Sequence, residues 1–275
     1  MHEYLRQCIK ELAHIWEKDP CTLAFALNGS GGRGNDDMWS DADVVLVVSD
    51  ESYSSVCQEM PLLMQRICGK IHLWLPEGEQ ERCVNYAFLF EKSCEQFLFD
   101  HAVFCESLIS ESQHFEAGVI FFDRSGSLTR ANQRFVERKP VFDESSLLKL
   151  MDTYLIYTYI NGKYFRRKDA AKMLYIQNTL RDMHIRLLQV FYPEHIFSGW
   201  WCGDFTILAH EHQQTILLYA SAQDYEQIGG LVRRQLDCFG KDARNACKLY
   251  GISYPEEKEQ YILRQFKDAR LPEWE

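Results

Sequence analysis

The chain has 275 residues, 46% of them hydrophobic and 25% charged, which is enough for one large core or two smaller ones. Its net charge of −10 at pH 7 argues against a protein that binds nucleic acid through a broad basic surface, and it favours a cationic small molecule as a partner. The apolar runs are short and interrupted, so the sequence predicts no membrane span.

The cysteines and the N-terminus indicate the compartment. Ten cysteines are scattered along the chain without a Cys-x-x-Cys pair. The first 18 residues are amphipathic and lack the apolar core and cleavage site of a secretory signal. Both observations favour a cytoplasmic protein with reduced thiols.

The first half of the chain alternates predicted helices and strands. An amphipathic helix opens the chain and ends at Asp19-Pro20. The apolar run Cys21–Leu27 predicts a strand, followed by a polar, glycine-rich loop and a second strand, Asp41–Val48. Further along we expect a helix, Tyr53–Cys68, that is interrupted at Pro61. Three strands should follow, Ile71–Leu75, Tyr86–Phe90 and Phe97–Phe104, with a turn around Ser93 between the last two. Gly118–Asp123 predicts one more strand.

The second half has a different character, because helical periodicity dominates beyond Leu147. We place a domain boundary near Pro140 and expect one helix from Asp143 or Ser145 to about Phe165. A second helix should follow and end before Pro193. The sequence thus predicts an α+β protein with a small mixed-sheet domain, residues 1–140, and a mostly α-helical domain, residues 141–275, with a site in the cleft between them.

Chemistry is concentrated between Leu27 and Val48. Asp41 and Asp43 alternate along a predicted strand, so both project from one face, about 7 Å apart along the chain. Two such carboxylates can hold magnesium, which prefers oxygen ligands. Gly29 permits a tight turn, and Ser30 offers an N–H and a hydroxyl to phosphate oxygens. An Asp-x-Asp pair beside a plain surface loop is the alternative, since such pairs are common.

The combined pattern is more specific than the pair. Residues 29–34 (GSGGRG) and residues 40–43 (SDAD), at the head of a strand, resemble the signature of the DNA polymerase beta-like nucleotidyltransferase superfamily. The similarity to small bacterial members includes the Arg-Gly step and the serine before the first aspartate.

The resemblance implies a nucleotidyltransferase domain and a set of ligands. It implies magnesium, as two ions, bound by Asp41 and Asp43, and a nucleoside triphosphate bound by Gly29, Ser30 and Arg33. It also implies a third carboxylate on a later strand, for which Asp100 is the matching residue. Asp100 interrupts an apolar run, and a buried carboxylate needs a partner. Glu95 is the competing candidate, and a solvent-facing Asp100 at a strand edge is the other alternative.

More weakly, the second half resembles the helical domain of nucleotidyltransferases that act on aminoglycoside or lincosamide antibiotics. In such a domain Lys163, with Arg166 and Arg167, would contact the triphosphate. The alternative is that these cations stabilise the end of a helix. Tyr154, Tyr157 and Trp200 or Trp201 are candidates for an acceptor pocket or for the core.

The sequence therefore predicts transfer of a nucleoside monophosphate, with AMP from ATP as the preferred case, to a hydroxyl of a small molecule such as an aminoglycoside or lincosamide. Nucleotidylation of a protein or RNA, or a nucleotide-binding module without activity, are the alternatives, and the acidic charge disfavours RNA. The sequence leaves open whether the protein acts alone or as a homodimer.

Overall fold

The computed structural model of the chain describes residues 1–111, 115–137, 142–193, 207–220 and 225–267. The chain forms two compact units, Met1–Arg138 and Lys139–Glu275. In the described ranges, no helix combines the length and the apolar character needed to cross a membrane.

The first unit is built on one six-stranded sheet. Its strands are β1 (Thr22–Leu27), β2 (Ala42–Val48), β3 (Ile71–Gln80), β4 (Cys83–Lys92), β5 (Glu95–Cys105) and β6 (Val119–Asp123), in the spatial order β3-β4-β5-β2-β1-β6. Its helices are α1 (Glu3–Lys18), α2 (Gly29–Arg33), α3 (Tyr53–Cys68), α4 (Glu106–Glu111) and α5 (Ser127–Glu137). The strands β2 and β5 pair in parallel and the other neighbours are antiparallel, which confirms the predicted mixed sheet.

Strand alternation divides the core of this unit between the two faces of the sheet. One face packs on α1 and α3, and β2 contributes Val44, Leu46 and Val48 to it. The other face packs on α4 and α5, and β2 contributes Val45 and Val47. Asp41 and Asp43 precede Val45 by four and two residues, so their side chains point to the same face as Val45, the second one.

Several local predictions are corrected by the structure. The glycine-rich segment predicted as a loop begins with one short helix, α2, which ends where Gly34 adopts a left-handed conformation. The helix α3 runs through Pro61 as one element. The strand β3 continues beyond Leu75 to Gln80, and α5 has no counterpart among the predicted elements. The predicted turn is confirmed at Ser93, where φ is positive.

The second unit is helical in its described part. Its helices are α6 (Glu144–Arg166), α7 (Ala170–Leu188), α8 (His210–Leu217), α9 (Tyr225–Tyr250) and α10 (Glu256–Lys267). The predicted start of α6 is confirmed, since Asp143 accepts a hydrogen bond from the backbone N–H of Ser146 and closes a capping box.

Tyrosine and histidine side chains form a polar chain inside the second unit. The hydroxyl groups of Tyr154 and Tyr219 lie 2.6 Å apart, and the Tyr219 hydroxyl lies 2.9 Å from Nδ1 of His184. The Nε2 atom of His184 in turn contacts Asp242 at 2.9 Å. Tyr154 is fully buried, so it belongs to the core rather than to an acceptor pocket, whereas Trp200 and Trp201 lie outside the described residues.

The histidine that follows Asp100 lies in the opposite face of the sheet, the one that packs on α1 and α3. His101 is completely buried beside Trp16, Phe25 and Phe99, and neither ring nitrogen has a hydrogen-bond partner. Burial disfavours the charged imidazolium and lowers the pKa of His101 to about 3.

We expect His101 to make folding stability pH-dependent. The unfolded chain takes up a proton at His101 near pH 6.5, and the folded chain does so only near pH 3, so stability is full above about pH 6.5 and falls as the pH decreases. From pH 7 to pH 5 the wild type should lose roughly 2 kcal/mol more than His101→Leu. Urea unfolding at both pH values measures the difference.

The exposed His14 on α1 provides the matched control. His14→Leu should keep the pH dependence of the wild type. An equal pH dependence in His101→Leu and the wild type would contradict the neutral, unpartnered state of His101.

Candidate active site

Three carboxylates meet on one face of the first unit's sheet. Asp41 immediately precedes β2, Asp43 is the second residue of β2, and Asp100 lies in the middle of β5. Because β2 and β5 are parallel with Asp43 opposite Asp100, the two side chains come from neighbouring strands at the same level. One oxygen from each carboxylate lies within 4.8 Å of the others. Among the described residues, this is the only group of three His, Cys, Asp or Glu side chains arranged to hold a metal ion.

The clustering leaves the negative charge of the site poorly compensated. Burial, followed by the charges of Asp41 and Asp100, raises the pKa of Asp43 to about 7, and Arg33 offsets part of this. Burial also raises the pKa of Asp100, against a hydrogen bond from Asn85 that lowers it. Such a group favours a bound cation.

Gly29 permits the close approach of chain and carboxylate. Its φ is +57°, and a Cβ at this position would lie 1.9 Å from Oδ2 of Asp43. The preceding residue, Asn28, donates its backbone N–H to the carbonyl oxygen of Asp43 at 2.7 Å. The start of α2 is thereby fixed directly beside the Asp43 carboxylate.

A second set of contacts holds α2 against the segment before β6. The Asn28 side chain donates to the Glu116 carbonyl oxygen at 2.8 Å and accepts a bond from the Gly118 N–H at 3.4 Å. Gly32 and Gly118 cross so closely that a Cβ on Gly118 would lie 2.3 Å from the Gly32 Cα. Neither glycine can therefore take a side chain without displacement of the backbone.

The other predicted nucleotide contacts have differing surroundings. Ser30 lies in α2 next to Gly29, and Arg33, at the end of α2, pairs with Glu116 at 3.3 Å with about half of its side chain exposed. Lys163 lies on α6 in the second unit, exposed, with its ammonium 5.5 Å from the centroid of the Tyr164 ring. Its role towards a nucleotide stays a prediction.

Of the two candidates for the third carboxylate, only Asp100 lies in the cluster. Glu95 is the first residue of β5, five positions before Asp100, and its exposed side chain pairs with His2 at 3.2 Å. The structure thus brings Asp41, Asp43 and Asp100 together and places Glu95 elsewhere.

The sequence pattern missed one residue that contacts the cluster, Asn85, and one exposed residue that is close to Asp41 in the chain, Trp39. Asn85 on β4 donates its side-chain N–H to Oδ1 of Asp100 at 3.0 Å. Trp39, two residues before Asp41, is 87% exposed at a turn in which Asp37 accepts the Trp39 N–H and the Ser40 hydroxyl. Trp39 could have been noticed in the sequence, because a large aromatic residue is unusual in a polar loop. Asn85 could not, because a single asparagine in a strand indicates no function.

Comparisons with known proteins agree with this site at the level of class. Residues 1–74 match the model of a family described as "Putative nucleotidyltransferase DUF294". The search of curated proteins gave no match.

Two solved structures are similar over most of the chain. One is an aminoglycoside 6-adenyltransferase from Bacillus subtilis, with 13% identity, a TM-score of 0.46 and 98% of both chains covered. The other is a nucleotidyltransferase-like protein from Exiguobacterium sibiricum 255-15, with 12% identity and a TM-score of 0.33, covering 96% of this chain and 87% of that one. Both similarities are too low to carry an argument about substrate.

The mixed sheet, the three-carboxylate cluster and the family match together support a nucleotidyltransferase.

Proposed function

We propose that the protein transfers a nucleoside monophosphate, AMP from ATP in the first instance, to a hydroxyl of a small molecule. The observation that carries the proposal is the cluster of Asp41, Asp43 and Asp100 beside the Gly29 turn. The acceptor oxygen would form a bond to the α-phosphorus, the bond from that phosphorus to the β-phosphate oxygen would break, and pyrophosphate would leave.

The residues of the cluster fit magnesium. All three offer carboxylate oxygens, which this ion prefers. Burial first, and then the negative charges of Asp41 and Asp100, raise the pKa of Asp43, and a bound cation would offset those charges. When bound, magnesium supplies charge neutralisation at the triphosphate and the leaving pyrophosphate. We propose that Asp41 and Asp43 bind one or two ions, and that Asp100 completes this set or takes the proton of the acceptor hydroxyl.

The neighbouring segment would position the triphosphate. Gly29 and Ser30 follow directly after Asn28, whose backbone N–H is bonded to the Asp43 carbonyl oxygen, and they offer backbone N–H groups and one hydroxyl. Arg33 carries the guanidinium nearest in sequence to these groups. Its ion pair with Glu116 is exposed and therefore contributes little to stability, so Arg33 would lose little free energy by binding a phosphate instead.

The acceptor is the least constrained part of the proposal. The net charge of −10 favours a cationic acceptor, and the resemblance of the sequence to antibiotic-modifying enzymes suggests an aminoglycoside or a lincosamide. We assign nucleotide transfer to residues 1–140 and acceptor binding to residues 141–275, with Lys163 as a further triphosphate contact.

Mass spectrometry tests the proposed reaction directly. The purified chain is incubated with magnesium, each of the four nucleoside triphosphates and a panel of aminoglycosides and lincosamides, with Asp43→Ala as the control. We expect one panel compound to gain the mass of a nucleoside monophosphate with the wild type, and no adduct with Asp43→Ala.

Other results redirect or overturn the proposal. An adduct on the protein itself or on added RNA would move the acceptor to another class. Absence of magnesium-dependent triphosphate binding in the wild type would remove the enzymatic function.

A further inference from the structure

Asn85 is the uncharged member of a row of polar side chains across the sheet. On β4 it stands opposite Glu77 of β3 and Ala102 of β5. Asp100 comes two residues before Ala102 on β5, so it is a diagonal neighbour of Asn85. On the other side of β5, Asp100 stands opposite Asp43 of β2. Diagonal neighbours on one sheet face are within reach of each other's side chains. Asn85 therefore lies between the carboxylate of Glu77 and the carboxylate cluster.

The hydrogen bond to Asp100 occupies only one of the two carboxylate oxygens. The donor is Nδ2 of Asn85 and the acceptor is Oδ1 of Asp100, at 3.0 Å. Both side chains are partly buried, so solvent replaces this bond only in part. The bond fixes the rotation of the Asp100 carboxylate and leaves Oδ2 free of this partner.

We propose that Asn85 is a positioning residue, which holds the Asp100 carboxylate in the orientation that presents its second oxygen to a divalent cation bound by Asp41 and Asp43. This inference rests on the proposed function, because it requires a cation at the cluster. Partners that orient ligand side chains in this way are known to change metal affinity about 10- to 100-fold when removed.

The chemistry of the side chain suits this position. A carboxamide donates an N–H to Asp100 without adding charge, whereas Asp or Glu at position 85 would add a further negative group beside Asp41, Asp43 and Asp100. An apolar side chain of similar size would fill the space but donate nothing. Asn85→Leu therefore separates the hydrogen bond from packing.

The test measures Mn²⁺ binding to the full chain by electron paramagnetic resonance, without nucleotide. We expect Asn85→Ala and Asn85→Leu to weaken Mn²⁺ binding about tenfold. The spectrum of the bound ion should also broaden or shift in both variants, because Asp100 is no longer held in one orientation. A merely structural role of Asn85 would not change that spectrum in the Leu variant.

Glu91→Ala is the matched control, since Glu91 lies on the same strand and loses only a cross-strand contact with His72. It should bind Mn²⁺ like the wild type. Wild-type affinity and spectrum in Asn85→Leu would overturn the positioning role, whatever Asn85→Ala does to folding. Asp43→Ala tests the metal site itself. If Asp43→Ala binds Mn²⁺ like the wild type, the proposed metal site is wrong. If Asp43→Ala loses Mn²⁺ binding while the Asn85 variants keep it, only the inference on Asn85 is wrong.

Discussion

Asp43→Asn is expected to abolish nucleotide transfer, by a factor of about 10³ or more, and yet to give a more stable protein in the absence of divalent ions. Transfer is lost because one of the three carboxylates of the cluster no longer carries charge. Stability increases because the removed charge is buried and repelled by its neighbours. Activity and urea unfolding, both measured on the same preparations, test the two effects.

The gain in stability should depend on pH with a defined sign. The folded-state pKa of Asp43 is about 7 and its ordinary value is 3.8. Ionisation therefore destabilises the folded state increasingly between these two values, and the cost is complete above pH 7. We expect Asp43→Asn to exceed the wild type by about 1–3 kcal/mol at pH 8 with a chelator present, and the difference to vanish near pH 4.

Glu95→Gln is the matched control, because it neutralises the other candidate for the third carboxylate. Glu95 is exposed and outside the cluster. This variant should keep wild-type transfer and wild-type stability at both pH values. Loss of transfer in Glu95→Gln with transfer retained in Asp100→Asn would reverse the choice that the geometry supports.

Gly29→Ala is expected to lower transfer about 100-fold or more, although position 29 contributes no side chain. A Cβ here would lie 1.9 Å from Oδ2 of Asp43, so either the Asp43 carboxylate or the backbone of α2 must move. A displacement of about 1 Å at a reacting centre is sufficient for such a loss. Steady-state kinetics and Mn²⁺ affinity should both report it.

Gly34→Ala separates this effect from backbone strain. Gly34 also has a positive φ, +74°, but a Cβ there would meet nothing within 4 Å. Both alanine variants should lose about 1–2 kcal/mol of stability from the left-handed conformation, and only Gly29→Ala should lose Mn²⁺ affinity. Equal losses of Mn²⁺ affinity in the two variants would attribute the effect to strain in the loop.

Local patterns predicted most of the elements and two of the three carboxylates of the cluster. The two-residue period of β2 places Asp41 and Asp43 on one face, and Asp143 marks the start of α6, because both signals are contained in a few consecutive residues. The start of α2 was predicted as a loop since glycines disfavour helix, and the contacts of Asn28 with Glu116 and Gly118 that hold it are distant in sequence.

The remainder of the site depends on strand pairing. That Asp100 stands opposite Asp43 follows from the parallel register of β2 and β5, which no local period encodes, and the sequence supplied Asp100 only through a family resemblance. Asn85 lies in a strand of alternating apolar residues, where a polar side chain is ordinarily a solvent-facing one. Only the pairing of β4 with β5 gives it a partner.

The parallel pairing of β2 with β5 also makes the cluster a long-range feature of the chain. Asp41 and Asp43 share one short segment, but α3 and the β3–β4 hairpin lie between them and Asp100 in the sequence. Contacts so distant in sequence form slowly, because the closure of a long loop precedes any gain from pairing. The charge repulsion within the full cluster therefore depends on this long-range pairing, and a chain that ends at residue 74, the last residue of the family match, has Asp41 and Asp43 without Asp100.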